Sequence, residues 1–187
     1  INAATTTVRS VRLKVANPID GCTAGALLVS NALVSTAVVE GLRVAYGSSV
    51  FAIWISAGNI QELMVNDCEI SGSGSRLVAH QGTMGRLMMN NIRHTSGYRT
   101  FEQSAAANAN VVVMANNLRS QSVTNVFHFE KTGLLLTSNV NIPSGGASTS
   151  FISHVSGATV TWKGDVDLNG VTEGSGAGTL TKASSVV

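Results

Sequence analysis

Apolar and polar positions along this chain repeat one short formula. Leu63-Met64-Val65-Asn66-Asp67, Leu87-Met88-Met89-Asn90-Asn91, Val113-Met114-Ala115-Asn116-Asn117, Leu135-Leu136-Thr137-Ser138-Asn139 and Thr161-Trp162-Lys163-Gly164-Asp165 recur after 24, 26, 22 and 26 positions. A sixth copy, Leu27-Leu28-Val29-Ser30-Asn31, lies 36 residues before the first. Periods of this size mark one structural unit stacked on itself. A second series, Phe51, Val78, Phe101, Phe127 and Phe151, runs in phase with the first. The step from Asn31 to Phe51 is long by comparison, which predicts a loop insertion near residues 37–48.

The unit is strand-like. Runs of β-branched, aromatic and Met/Leu residues are bounded by Gly, Ser and Asn clusters such as Ser71-Gly72-Ser73-Gly74 and Pro143-Ser144-Gly145-Gly146. No apolar stripe of helical period is long enough to make a helix. Units of about two dozen residues with two or three strands predict an all-β parallel β-solenoid of about six coils, each touching only its neighbours. The coils are expected over residues 27–169, with an entry segment or first strand in 1–26 and an irregular segment in 170–187.

Within the unit the columns separate by chemistry. Leu28, Met64, Met88, Met114, Leu136 and Trp162 stand three residues before the aligned position, and Ala32, Cys68, Ile92, Leu118, Val140 and Val166 one after it. Both columns are predicted to be interior. The aligned column is Asn31, Asp67, Asn91, Asn117, Asn139 and Asp165; these residue types tolerate left-handed backbone and bond their own turn, so a side-chain ladder at a bend is expected. Strict alternation then turns Leu63, Val65, Leu87, Met89, Val113 and Leu135 outward. A sheet apolar on both faces needs a cover, so this face is expected to be the seam of a homo-oligomer, with a trimer the simplest arrangement for a rod.

Composition narrows the picture. Only 12% of residues are charged and the net charge is +2, so the one local basic group, Arg9, Arg12 and Lys14, reads as a solvated strand face and not as a nucleic-acid site. There is no apolar run of membrane-spanning length. The chain starts at Ile1 with no signal-peptide pattern and reads as a fragment or processed product. Cys22 and Cys68 lack metal-ligand spacing, and Cys68, in an interior column, is expected to be a buried free thiol. No cofactor or metal is expected.

The coil length, the Asn column and the stacked Met/Leu/Phe columns over Leu27–Asp165 resemble the right-handed parallel β-helix of pectate lyases and phage tailspikes. Of the two, the tailspike and tail-fibre type fits better. That resemblance implies a homotrimer in the virion's tail, outside the cell, contacting host surface polysaccharide or other virion proteins. A calcium-dependent lyase site lacks support: Asp67/Glu69 and Asp165/Asp167 would lie roughly 20 Å apart at one strand spacing per coil, and calcium needs six to eight oxygen ligands. Glu69, Arg93 and Arg119 on successive coils suggest a surface charge stack.

One face offers chemistry. If Phe101 and Phe127 point inward, Glu102 and His128 point outward, and the next outward column carries Glu130 and His154, with Trp54 on the same face. Glu102 and Glu130 would stand roughly 8 Å apart, within the range of inverting glycosidases. A polysaccharide depolymerase with these two carboxylates, and Trp54, His128 and His154 as ligand contacts, is therefore the alternative to a structural, receptor-facing role. A bacterial surface or secreted adhesin is the third reading.

Overall fold

The computed structural model describes residues 7–14, 19–20, 27–45, 51–144 and 147–183, and every regular element among them is a strand. The strands fall into two sheets. The longer runs from neighbour to neighbour through Thr7–Lys14, Leu33–Glu40, Asn59–Ser71, Thr83–His94, Val111–Ser120, Gly133–Asn141, Thr159–Asp167 and Thr179–Lys182, with Ile19–Asp20 and Arg43–Ala45 paired alongside. The shorter runs through Leu27–Val29, Phe51–Ile55, Arg76–His80, Gly97–Gln103, Val123–Phe129, Ala147–His154 and Gly174–Gly176. The chain visits the sheets alternately and the pairings are parallel. The protein is an all-β parallel β-solenoid of about six turns.

The register reproduces the repeat. Met64, Met88, Met114 and Leu136 stand side by side on successive coils. So do Val78, Phe101 and Phe127, preceded by Ile53 and followed by Ile152. Phe51 and Phe151 thus fall out of the column the sequence suggested, by two residues and by one. Aromatic packing continues across the interior, with ring centroids of Phe127 and Phe151 at 5.3 Å and of Phe151 and Trp162 at 5.5 Å.

The bend in the longer sheet is where the amide column does its work. Asp67, Asn91, Asn117 and Asn139 all take left-handed backbone, with φ between 51° and 55°. Asn91 Nδ2 donates to Asp67 Oδ1 at 2.8 Å, Asn117 to Asn91 at 2.6 Å and Asn139 to Asn117 at 3.1 Å. The expected ladder is present over these four rungs. Its two outer members are not part of it. Asn31 is left-handed too, but Leu27–Val29 pairs with Ile53–Ile55 of the shorter sheet, which puts Asn31 at a different corner. Gly41, φ 73°, occupies the rung opposite Asp67, because Glu40 pairs with Asn66 and Arg43 with Glu69. At the other end Gly164, φ 129°, meets Thr137, and two residues of one strand face only Asp165 in the next. A Cβ on Gly164 would run into the Thr137 carbonyl.

The misassigned copy also explains the supposed insertion. Residues 33–40 form a strand in register with 59–66, and 43–45 pair with 69–71. The stretch 37–45 is thus ordinary coil, and residues 46–48 lie outside the described residues. Likewise the end of the chain is less irregular than expected: Gly174–Gly176 and Thr179–Lys182 add a strand to each sheet. At the other end Thr7–Lys14 pairs with Leu33–Glu40; the rest of the entry segment, Ile19–Asp20 apart, lies outside the described residues.

Candidate functional site

The left-handed residue at the bend decides which side chains face out. It turns two consecutive residues, such as Asn66 and Asp67, toward solvent and so reverses the alternation of the strand that precedes it. The column after the bend is interior as expected, with Cys68, Ile92, Leu118 and Val140 buried. The columns before it are exchanged. Leu63, Val65, Leu87, Met89, Val113 and Leu135 are fully buried core residues and form no seam. Val38, Met64, Met88, Met114 and Leu136 instead run down the outer face, with Met114 37% exposed. Leu28 is likewise on the surface, at 44%, while Trp162, displaced by the register shift, is buried. Met88, Met114, Leu136 and the Asn90 and Asn116 amides line a shallow depression of about 160 Å³.

Cys68 is a buried free thiol, its pKa pushed up to about 11 by burial; Cys22 lies outside the described residues. The charge stack is present as Arg43, Glu69, Arg93 and Arg119 in register, with Glu69 and Arg93 3.7 Å apart and both well exposed, an arrangement worth little. Among the described residues no three His, Cys, Asp or Glu side chains gather closely enough to hold a metal.

The outer face of the shorter sheet carries the densest polar chemistry. Trp54, Ala79, Glu102, His128, Ser153 and Ser175 form one column in register. Glu102 is clamped by two guanidiniums: Arg76 Nε donates to Oε2, and Arg99 Nη1 lies 3.0 Å from the same oxygen. Tyr98 lies against the same two arginines, whose guanidinium carbons stand 4.5 and 4.3 Å from its ring centre. Glu130 Oε2 accepts from the Ala105 amide at 2.7 Å, and Oε1 lies 3.3 Å from His128 Nε2. The other ring nitrogen of His128, Nδ1, lies 2.7 Å from Ser153 Oγ.

No protein-family model, no curated protein and no solved structure matches this chain. Its function must therefore be argued from these faces alone.

Of the side chains the sequence put on this face, Glu102, His128 and Glu130 are brought together. Trp54 shares the Glu102 column and donates from Nε1 to Gln81 Oε1 at 3.0 Å. His154 is not part of the face. It stands in the column of Ile55, His80, Gln103 and Phe129, is buried, and its Nδ1 accepts the Gly178 amide at 3.1 Å, tying the following coil down. Arg76, Tyr98, Arg99 and Ser153 were not anticipated. The two arginines follow the alternation of their strands only loosely, and Ser153 reaches His128 only through an extra residue in Ala147–Ser150, which pairs with Val123–Asn125. Without that bulge Ile152 would stand beside His128.

Proposed function

We propose that this chain is a rigid structural segment of a phage tailspike or tail fibre, displayed outside the cell and assembled as a homotrimer. The observation that carries this reading is the continuous parallel register, with offsets of 22 to 26 residues from Met64 to Leu136, which makes the chain a short stiff rod. The outer ribbon of Val38, Met64, Met88, Met114 and Leu136 supports association along the longer sheet, because an apolar stripe of this length on a surface marks an interface. The shorter sheet's outer face, polar and rich in arginine and aromatic contacts, is then left to meet host glycan or another virion protein.

The depolymerase reading is weakened by Glu102. Its Oε2 is held by both Arg76 and Arg99, two cations that favour the ionised carboxylate over the protonated acid a glycosidic oxygen would need. The test is incubation of the purified protein with capsule and O-antigen preparations. Retention of a glycan without chain cleavage fits the structural role. Oligosaccharide release that disappears in Glu102→Gln or Glu130→Gln would make the chain a glycoside hydrolase instead.

A further inference from the structure

Three side chains scattered through 26 residues of sequence meet on the outer face of the shorter sheet. Ser153 stands beside His128 on the neighbouring strand, with Oγ 2.7 Å from Nδ1. Glu130 lies on the far side of the ring, with Oε1 3.3 Å from Nε2. An ionised carboxylate only accepts, so Nε2 carries the hydrogen and donates to Glu130. In the neutral ring Nδ1 is then the bare lone pair, and the Ser153 hydroxyl donates to it. Glu130 is itself fixed by the Ala105 amide. A hydroxyl, a base and a carboxylate that orients the base thus stand in the sequence nucleophilic catalysis requires. The two ring nitrogens exchange their usual parts, which leaves their acid–base chemistry unchanged.

The surroundings favour the unprotonated base. The charged groups that bear on the ring are Arg99, Glu102 and Glu130: burial and Arg99 lower the His128 pKa, the two carboxylates raise it, and the net direction is down. Arg99 also brings a cation to the side of the site. Its Nε is buried and has no hydrogen-bond acceptor among the described residues.

We propose that Ser153, His128 and Glu130 form a hydrolytic site for carboxylic esters, with Glu130 as a positioning residue. Ser153 Oγ attacks the ester carbonyl carbon while His128 Nδ1 takes its proton. The carbon–oxygen bond to the alcohol breaks, that proton passes to the departing oxygen, and the acyl group stays on Ser153. Water then attacks the acyl carbon, gives a proton to Nδ1, and releases the carboxylic acid as Ser153 recovers its hydrogen. Ester and water yield acid and alcohol. An ester suits the site better than an amide: parallel pairing spends the strand amides that would otherwise stabilise an oxyanion, and an alcohol is the easier group to expel. Ser153 is only 9% exposed, which favours a small acyl group such as acetyl.

This inference does not rest on the tailspike reading, and its test is independent of glycan binding. The full chain is treated with methanesulfonyl fluoride, a serine-directed reagent of acetyl size, and assayed with p-nitrophenyl acetate. Labelling mapped to Ser153 by mass spectrometry is expected, with hydrolysis falling more than about a hundredfold in Ser153→Ala and in His128→Asn. Glu130→Gln is expected to move the acid limb of the pH profile of kcat/KM to lower pH, since it removes a charge that raises the His128 pKa. A Glu130 that served only to hold the Ala105 amide, without touching the ring, would leave that limb in place. An unlabelled Ser153 in the folded parent protein, or hydrolysis by Ser153→Ala as fast as by the parent, overturns the proposal.

Discussion

The interior of this solenoid contains two histidines that no longer titrate where free histidine does. His80 is fully buried with neither ring nitrogen in a well-formed hydrogen bond among the described residues, only the Gly82 backbone and the Asn108 side chain standing near, and His94 sits in a chain of hydroxyls, with Ser75 Oγ 3.3 Å from Nε2 and Thr100 Oγ1 3.1 Å from Nδ1. Burial lowers each pKa from 6.5 to about 4. Above pH 6.5 both rings are neutral whether the chain is folded or not, and they add no pH dependence. As pH falls from 6.5 toward 4 the unfolded chain takes up protons that the folded one refuses, so stability drops. Below about pH 4 the loss levels off at roughly 3 kcal/mol per histidine. Urea unfolding across this range is expected to show that loss, and His94→Gln should flatten its share of it even though the variant starts less stable. A midpoint in urea that stays level from pH 7 to pH 4 would contradict the burial argument.

At the scale of the strand, the left-handed residue sets the phase of everything before it. Leu87 and Met88 are adjacent, yet one is in the core and the other on the surface. Leu87→Ala is expected to cost about 2–5 kcal/mol, as a buried cavity does, and Met88→Ala less than about 1 kcal/mol in the monomer. If the outer ribbon is the seam, Met114→Lys leaves monomer stability nearly intact and lowers the mass seen by sedimentation; the same mass for parent and variant would remove that seam. The contrast shows what was legible in the sequence. The coil length, the ladder over Asp67–Asn139, the parallel strands and the interior column of Cys68 and Ile92 follow from spacing and residue type. Leu63, Leu87 and the residues in their columns read as outward only because alternation was carried straight through a bend that consumes one residue. Asn31 misled for a related reason: a left-handed Asn looks the same at either corner. The meeting of Ser153 with His128 was hidden by a bulge, which leaves no mark in a run as uniform as Ala147-Ser148-Thr149-Ser150.

For the molecule as a whole, each coil is held by its two neighbours and by little else, so stability should vary along the axis and not between the sheets. The coil containing Thr83–His94 is paired on both sides by long strands, in register over Asn59–Ile70 and over Val112–Ser120, and its core residues Met84, Leu87 and Met89 are fully buried. Among the described residues the pairing shortens toward one end to the four residues of Thr179–Lys182 and the three of Gly174–Gly176, and toward the other Thr7–Lys14 is the last strand of the longer sheet. In a quasi-one-dimensional stack, opening an end coil breaks one interface, whereas opening a middle coil breaks two. Amide hydrogen exchange is therefore expected to be slowest over residues 83–120 and to quicken stepwise toward Lys182 and toward Thr7, with the amides of both sheets in one coil exchanging together. The ladder reinforces the gradient, since Asp67 to Asn139 spans these same central coils and each amide bond links one coil to the next. Uniform exchange from end to end would mean instead that the solenoid opens only as a single unit, with no end coil able to open ahead of the middle.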